Sequence, residues 1–325
     1  MGVCGMLRVV QTGIGGLDVY DVQTCPVPKP AIGEILIRTE FAGINYLDVL
    51  MRRGEYTSTP KLPFTPGCGI VGTVVELGSS VNGQSGFAVG DRVVVLTQSG
   101  GYSQYVTADA RAATHVPEGV PSDKAVCCVS SYVAAHQLLH RAARVHGGWR
   151  VLVHSAAGGV GTALTQLARI AGCAVYGTAS AGKHDTVRGL GAVPIDYRSS
   201  DFVVEMSRNE PDGIDAVFDP IGGEHWLRSR RVVRRGGIVV GYGMRTIRTA
   251  ARMLVASRGR RFSYYSMNTR NVLQNTEDLR LILNLCSENI IDPVIGPRLP
   301  LERVHDAHRL LTDGAITGKA LLDCR

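Results

Sequence analysis

A short glycine-rich stretch follows an apolar run near the middle of the chain. Residues 149–156 (WRVLVHSA) have the pattern of a buried strand, and residues 162–172 (TALTQLARIAG) have the period of an amphipathic helix. The intervening residues follow the spacing G-x-G-x-x-G with Ala156 in the first glycine slot. Small residues at this spacing let backbone N–H groups approach a pyrophosphate at a helix N-terminus. Glycine spacing alone is weak evidence in a glycine-rich chain, but the strand–loop–helix context makes it strong. The residues predicted to bind a dinucleotide here are Ala157, Gly158, Gly159, Val160 and Gly161.

The end of the next predicted strand indicates which dinucleotide is bound. Chains that bind NAD place Asp or Glu there to hold the ribose hydroxyls, and residues 176–180 (YGTAS) contain neither. Ser180, Lys183 and Tyr197 could instead surround a 2′-phosphate, which an acidic side chain would repel. The alternative for Lys183 is a solvated lysine at the start of a helix. The pattern favours NADP(H) over NAD(H).

Strands and helices alternate around this loop, which predicts βαβ units and a parallel sheet. A helical stretch without Pro or Gly, residues 124–144, precedes them. The predicted strands are 150–155, 174–178, 216–218 and 237–241, and the predicted helices are 162–171 and 183–190.

The parts of the chain before and after this region differ from it in pattern. Residues 7–120 carry short β-branched runs between Gly and Pro turns, at 34–41, 69–76 and 92–96, which predicts a β-rich unit. The last segment has the pattern of a helix, an extended piece, a second helix and a strand. These elements are predicted at 278–288, 293–299, 301–312 and 319–323.

The composition predicts a cytoplasmic globular protein of two domains. The chain has 325 residues, of which 45% are hydrophobic and 19% charged. No apolar run reaches the roughly 18 residues that a membrane span needs, and the N-terminus lacks the pattern of a secretory signal. The eight cysteines form no C-x-x-C pair, which favours reduced, mostly buried thiols.

The net charge of +7 has a local origin. Residues 228–261 contain eleven arginines and no acid. A solvated basic face is one interpretation, and a handle for an anionic substrate or a nucleic-acid or membrane surface is the other. Aromatic residues are scarce until Phe262, which argues against a nucleic acid as partner. A membrane is not expected as a partner either.

Several motifs together resemble the zinc-free quinone oxidoreductase branch of the medium-chain dehydrogenase/reductase superfamily. The motifs are HSAAGGVGTALTQLARIAG (154–172), GDRV (90–93), DPIGG (219–223), AGINYLDVLMRRGEY (42–56) and PGCGIVGTVVELGSSV (66–81). The resemblance covers about residues 7–323. It implies an α/β chain in which a GroES-like, β-rich catalytic domain (1–123 and 266–325) surrounds a doubly wound, parallel-sheet Rossmann domain (124–265). It also implies a homodimer joined through the edges of the Rossmann sheets.

The resemblance allows a test for zinc. Zinc-containing relatives carry a ligand Cys where this chain has Asn45, Gly-His-Glu where it has residues 67–69 (GCG), and a four-cysteine lobe where residues 96–101 (LTQSGG) have no Cys. The single thiol of Cys68 cannot build a zinc site of three or four ligands. The expected enzyme is therefore metal-free, which suits conjugated acceptors such as quinones, enones and enoyl thioesters.

The resemblance also nominates site residues. It places Asn45 beside the family's nicotinamide, where its amide could hold a substrate oxygen, and it places Tyr46 and Tyr56 near the same site. Tyr56 stands where polyketide enoyl reductases have a tyrosine suspected of donating a proton. Each tyrosine could equally be a packing aromatic, and Asp48 is expected to be a helix-capping residue rather than an acid catalyst.

One departure from the enoyl reductases concerns Tyr242. Those enzymes carry Gly-Lys after the strand that precedes the nicotinamide, and this chain has Gly241-Tyr242. Tyr242 could replace that lysine as a weaker proton donor, or it could be a wall of the pocket. The remaining residues assigned to the cofactor are Gly222, Gly241, Tyr242 and Gly243.

Three functions follow as hypotheses. The leading one is an NADPH-dependent reductase of quinones or conjugated enones. The second is an enoyl-thioester reductase acting in trans on a polyketide or fatty-acyl chain, against which the missing lysine argues. The third is an NADPH-binding protein with little turnover and a role on RNA or a membrane surface.

Overall fold

Two compact units make up the chain. The computed structural model describes residues 5–56, 58–81, 86–243, 259–266 and 271–325. One unit consists of Met1–Val133 and Arg270–Arg325, and the other of Ala134–Thr269. They are called the outer and inner unit below because, in the sequence, the two segments of the first flank the second. Residues 244–258 of the arginine-rich segment lie outside the described residues.

The outer unit is built mainly of antiparallel strands. β3 is central in its seven-stranded sheet, whose order is β14-β15-β3-β4-β5-β7, and β6 also pairs with β3. β1 and β2 form a separate antiparallel pair. The strands of this unit are β1 (Gly5–Gln11), β2 (Tyr20–Pro26), β3 (Glu34–Gly43), β4 (Ile70–Leu77), β5 (Arg92–Val95), β6 (Tyr105–Asp109), β7 (Ala113–His115), β14 (Ile295–Pro300) and β15 (Lys319–Asp323).

Alternating β-branched residues bury one face of this sheet, which gives the outer unit its own core. Ile35 and Ile37 of β3, Val74 of β4 and Val93 of β5 are fully buried in it. The predicted strand 319–323 is confirmed, and it brings the end of the chain back beside β3, where Leu321 pairs with Gly43.

The helices of the outer unit cover this sheet. The helical stretch predicted at 124–144 is confirmed; it runs through 122–143 and crosses into the inner unit. Its elements are α2 (Ser122–Cys127), a π-helical turn (Cys128–Tyr132), α3 (Val133–Gln137) and a second π-helical turn (Leu138–Ala143). The other helices of the outer unit are α1 (Tyr46–Arg52), α8 (Val272–Ser287) and α9 (Val304–Thr312).

The inner unit has the predicted parallel sheet. Its six strands have the order β10-β9-β8-β11-β12-β13, and every neighbouring pair is parallel. The strands are β8 (Arg150–Val153), β9 (Ala174–Ala179), β10 (Val193–Asp196), β11 (Ile214–Asp219), β12 (Val233–Tyr242) and β13 (Arg261–Tyr265). The chain winds outward from β8 in both directions, which is the doubly wound order with its switch point between β8 and β11.

Helices connect these strands, and the core between them is aromatic at its centre. Trp226 is fully buried against Leu152 and Val239 of the sheet. The helices are α4 (Gly159–Ile170), α5 (His184–Gly189), α6 (Phe202–Asn209) and α7 (Glu224–Val232). None of the helices in the described ranges is both long and apolar enough to cross a membrane.

Candidate active site

The predicted dinucleotide loop joins β8 to α4 at the switch point of the inner sheet. Gly158 caps α4, and its N–H donates to Ser155 O at 2.9 Å. A Cβ at Gly161 would lie 2.1 Å from Ser155 O and 2.8 Å from Ala156 Cα. Only glycine fits there, so the first turn of α4 packs directly on the loop. The exposed N–H groups of such a turn are a suitable cradle for a pyrophosphate.

The region beyond β9 contains two cations, Lys183 and Arg198. Ser180 precedes a single helical turn that ends at Lys183, and Tyr197 is 54% exposed after β10. Partial burial, and then the positive charge of Arg198, lower the pKa of Lys183. The Arg198 guanidinium lies 5.9 Å from the centre of the Tyr197 ring. Arg198 is a second cation that the sequence analysis did not assign.

A buried carboxylate orders the loop that follows β11. Asp219 Oδ1 accepts hydrogen bonds from the backbone N–H of Ile221 at 2.9 Å and of Gly222 at 3.3 Å. Its Oδ2 accepts from His225 Nδ1 and Ser229 Oγ, both at 2.6 Å. Burial alone would raise the pKa of Asp219, but these hydrogen bonds and the neighbouring imidazoles hold it below its usual range. Asp219 therefore fixes the loop that carries Gly222 at the carboxyl end of the sheet.

His154 completes this network from the end of β8. Its Nε2 lies 3.2 Å from Ser229 Oγ and its Nδ1 lies 3.1 Å from Thr178 Oγ1. Burial lowers the pKa of His154 to about 3, so the ring is neutral. Ligand atoms of His154, Asp219 and His225 lie within 4.8 Å of one another. The hydrogen bond between Asp219 and His225, and Ser229 as the shared partner of Asp219 and His154, already account for this arrangement.

The segment 241–243 is shaped by packing. A Cβ at Gly241 would lie 2.7 Å from the Trp226 ring, and Gly243 has a positive φ of 82° beside Pro220. Tyr242 is buried, and both its burial and the charge of Asp219 raise the pKa of its phenol. A phenol in this environment stays protonated.

In the outer unit, Asn45 lies at the start of α1 with its side-chain amide fully engaged. The amide Nδ2 donates to Gly43 O at 3.3 Å and to Cys68 Sγ at 3.1 Å. Its Oδ1 accepts from Ser130 Oγ at 2.8 Å and from Lys319 Nζ. The Asn45 amide is thus positioned by four protein groups.

Asp48 caps the same helix, as predicted. Its Oδ2 accepts from Asn45 N at 2.8 Å, and it also accepts from the Tyr102 hydroxyl at 2.8 Å. His308 Nε2 lies 3.3 Å from that hydroxyl, and its Nδ1 lies 3.4 Å from the hydroxyl of Tyr20. Burial raises the pKa of Asp48 and lowers that of His308 to about 3. A continuous polar chain therefore runs through the interior of the outer unit.

The predicted catalytic residues divide between the two units. Asn45 and Tyr46 are adjacent at the start of α1, Tyr56 follows α1, and Tyr242 belongs to the inner unit. Tyr46 is 46% exposed, and Tyr56 is half-buried.

Several polar residues that no sequence pattern indicated lie around these positions. In the outer unit they are Tyr102, Ser130, His308 and Lys319. A lysine followed directly by three apolar residues of a strand, as in 319–323 (KALLD), was the one available signal for Lys319. In the inner unit His225, which binds Asp219, was also missed.

The residues around Asn45 do not fit a zinc ion. Cys68 is the only thiol that contacts Asn45 in the described part of the outer unit, and burial raises its pKa to about 12. The ammonium of Lys319 donates a hydrogen bond to the same amide and would repel a cation. Within the described residues, the one group of three His, Cys, Asp or Glu side chains with metal-ligand spacing is that of Asp219 in the inner unit.

Two family descriptions match the chain. "Alcohol dehydrogenase GroES-like domain" matches residues 31–118, and "Zinc-binding dehydrogenase" matches residues 190–322. The human "Synaptic vesicle membrane protein VAT-1 homolog" is 33% identical over 338 residues, which cover 97% of this chain and 85% of the relative. A "Probable quinone oxidoreductase" of Schizosaccharomyces pombe is 31% identical over 326 residues, which cover 98% of this chain and 97% of the relative. The chain belongs to the medium-chain dehydrogenase/reductase superfamily, in its quinone oxidoreductase-like branch.

Solved structures of this superfamily share the fold over the whole chain. A mycobacterial protein in complex with NADPH has a TM-score of 0.90 at 29% identity and covers 98% of this chain and 99% of its own. The quinone oxidoreductase of Coxiella burnetii has a TM-score of 0.88 at 28% identity, and the match covers 99% of this chain and 100% of that one. The GroES-like domain and parallel sheet expected from the sequence are thereby confirmed.

Proposed function

We propose that this chain is an NADPH-dependent oxidoreductase that reduces quinones or conjugated enones without a metal ion. The observation that carries the proposal is that the end of β9 has no Asp or Glu and is followed by the cations Lys183 and Arg198. A loop shaped for a pyrophosphate lies beside it. When bound, the cofactor would supply a hydride, and the protein would orient the acceptor and provide a proton.

The preference for NADPH rests on charge. Lys183 and Arg198 offer two cations to a 2′-phosphate, with Ser180 and Tyr197 as polar neighbours. Charge-assisted hydrogen bonds to phosphate are roughly twice as strong as neutral ones. The related mycobacterial structure, which holds NADPH, supports the same choice. The loop from Ala157 through Gly158, Gly159 and Val160 to Gly161, and the small residues Gly222, Gly241 and Gly243, would line the rest of the cofactor.

The choice of acceptor follows from the side chains around Asn45, which do not fit a zinc ion. Without a Lewis acid, acceptors that spread the arriving negative charge over a conjugated system are easier to reduce than simple ketones. Relatives named as quinone oxidoreductases support this class. Tyr46, Tyr56 and Tyr242 stay proposed contacts of the acceptor.

The proposed function is tested by following NADPH absorbance with purified protein and a panel of acceptors. The panel contains 1,4-benzoquinone, 9,10-phenanthrenequinone, a simple enone and crotonyl-coenzyme A, with NADH as the control cofactor. Turnover of quinone or enone with NADPH is expected. Selective turnover of the thioester would reassign the chain as an enoyl-thioester reductase, and a preference for NADH would contradict the assignment of Lys183.

We also propose that the protein is a cytoplasmic homodimer joined through the inner sheet. β13 is one of the two edge strands of that sheet among the described residues, and β10 is the other. Strand edges left open in this way pair readily with another strand. Light scattering coupled to size-exclusion chromatography should give the mass of two chains, and a monomer would contradict the proposal.

A second candidate role is favoured by one comparison. Relatives at 33% identity are named as synaptic vesicle membrane proteins, and the arginines of 228–261 could attract anionic lipid. Co-sedimentation with phosphatidylserine vesicles, lost at high salt, together with NADPH binding but no turnover of any acceptor would favour this role. Turnover without sedimentation would exclude it.

A further inference from the structure

A buried lysine stands beside Asn45 at a place where the backbone has been shaped to admit it. Lys319 begins β15 and is 4% exposed. A Cβ at Gly43 would lie 2.8 Å from Lys319 Cε, so glycine leaves the path of this side chain open. Gly318 has a φ of 74°, and a Cβ there would lie 2.2 Å from Val294 O. Two glycines therefore fix where the ammonium lies.

The hydrogen-bond partners of this ammonium are neutral. Lys319 Nζ donates to Asn45 Oδ1 and, at 3.1 Å, to Ser130 Oγ. An ammonium has three N–H donors, and within the described ranges the structure gives it these two acceptors and no carboxylate in contact. Lysines are rarely buried without a paired acid, because an unpaired buried charge costs folding free energy. The third N–H has no acceptor among the described residues.

By contrast, the N–H groups and the oxygen of the Asn45 amide are all hydrogen-bonded within the protein. Its two N–H groups are directed to Gly43 O and Cys68 Sγ, and its oxygen receives Ser130 and Lys319. Asn45 is better described as a positioning residue that holds the lysine than as the group that holds a substrate oxygen.

The electrostatic surroundings tune the acidity of the lysine. Burial lowers the pKa of Lys319, and the titratable groups that face it, Cys68, Asp48 and Cys127, oppose this effect in that order. A lysine with a lowered pKa is a stronger acid than usual, and general acids work best when their pKa lies near the working pH.

We propose that the Lys319 ammonium, held by Asn45 and Ser130, is the proton donor to the carbonyl oxygen of the conjugated acceptor. This inference rests on the proposed function. As hydride from NADPH adds to the β-carbon of an enone, the electron pair of the C=C bond shifts toward the carbonyl oxygen. An O–H bond forms there as an N–H bond of Lys319 breaks, which leaves an enol and a neutral amine. The enol tautomerises to the ketone, and the amine takes a proton from water.

The test compares Lys319→Met with the wild type in the full-length protein. Methionine keeps the side chain as far as Cε and removes a charge whose burial without a paired acid costs folding free energy. The kcat for enone reduction should fall ~100- to 10,000-fold, while the dissociation constant for NADPH stays within about threefold. Lys124→Met is the matched control: this lysine pairs with Asp292 on the surface, and the variant should keep wild-type kcat.

The pH profile separates a proton donor from a structural lysine. The wild-type kcat should fall at alkaline pH with an apparent pKa below 10.5, the ordinary value for lysine, and the variant should lose this limb. A kcat within about threefold of wild type in Lys319→Met, or a loss of NADPH affinity alone, overturns the proposal and leaves the proposed function standing. Lys319→Gln is the second variant if the methionine protein does not fold.

A readout without turnover distinguishes the two proposals. 4-Nitrophenol, titrated spectroscopically in the complex with NADP+, carries a phenolate oxygen as a stand-in for the reaction's oxyanion. Its bound pKa should lie at least one unit lower in wild type than in Lys319→Met. If no acceptor is turned over but this difference is present, the proposed function fails, and Lys319 keeps only its role as a group that binds an oxyanion. If both are absent, both fail.

Discussion

Ala156 and Gly177 face each other across the first two strands of the inner sheet: a Cβ at position 177 would lie 2.6 Å from the Cβ of Ala156. Ala156 occupies the slot where a dinucleotide loop ordinarily has its first glycine, and it is fully buried. The methyl group of Ala156 fits because the residue that faces it in β9 is a glycine, which has no methyl group. The substitution in the loop and the glycine in β9 therefore form one unit.

This relationship predicts non-additive stability. Gly177→Ala should cost about 1–3 kcal/mol of unfolding free energy, because a methyl is forced into a filled space. Adding Ala156→Gly should recover part of that loss. Urea denaturation of the two single variants and the double variant measures the coupling. Additive losses would mean that the two methyl groups do not compete for the same space.

Cofactor selectivity should depend on Lys183. Lys183→Met removes a cation beside the expected 2′-phosphate, so KM for NADPH should rise about tenfold, the equivalent of one charge-assisted hydrogen bond. KM for NADH, which lacks this phosphate, should stay unchanged. Steady-state kinetics with both cofactors, with Lys124→Met as control, checks the prediction. An equal rise for both cofactors would place Lys183 elsewhere than at the 2′-phosphate.

The polar chain inside the outer unit should be important for stability. Tyr102→Phe removes a 2.8 Å hydrogen bond to the fully buried Asp48 and leaves that acceptor short of a donor. The expected cost is about 1–3 kcal/mol. Tyr105→Phe, at a half-buried tyrosine of β6, should cost less than ~0.5 kcal/mol. Thermal unfolding curves that coincide for Tyr102→Phe and wild type would contradict this account of the chain.

His154 predicts a pH dependence of folding. Its pKa is about 3 in the folded protein, against an ordinary value of 6.5, because burial disfavours the charged ring. Stability from this residue is fully present above pH 6.5 and is lost as the pH falls from 6.5 toward 3. Between pH 6.5 and 5 the loss should be about 2 kcal/mol. The plot of unfolding free energy against pH should be correspondingly flatter in His154→Gln, and parallel plots would refute the assignment.

Much of the fold was predictable because its signals are local. The period of 162–171 and the β-branched runs of 34–41 and 92–96 are properties of neighbouring residues, and those elements formed. The glycine loop could be found for the same reason. Such patterns require no knowledge of distant contacts.

The interior of the candidate site was not predictable, because its partners are far apart in sequence. Lys319 contacts Asn45 across 274 residues, and Tyr102 lies near His308 across 206. No spacing rule brings such residues together, since strand pairing and helix packing decide which side chains meet. Asp48 was assigned only its local capping role for this reason, and its bond to Tyr102 was missed.

The central claim is tested most directly by the initial rate of NADPH oxidation with 9,10-phenanthrenequinone, before and after exhaustive dialysis against 1,10-phenanthroline. We predict steady turnover with NADPH, a much lower rate with NADH at the same concentration, and no loss after the chelator. Turnover that disappears with the chelator and returns with zinc, or oxidation of NADH in preference to NADPH, would contradict the account.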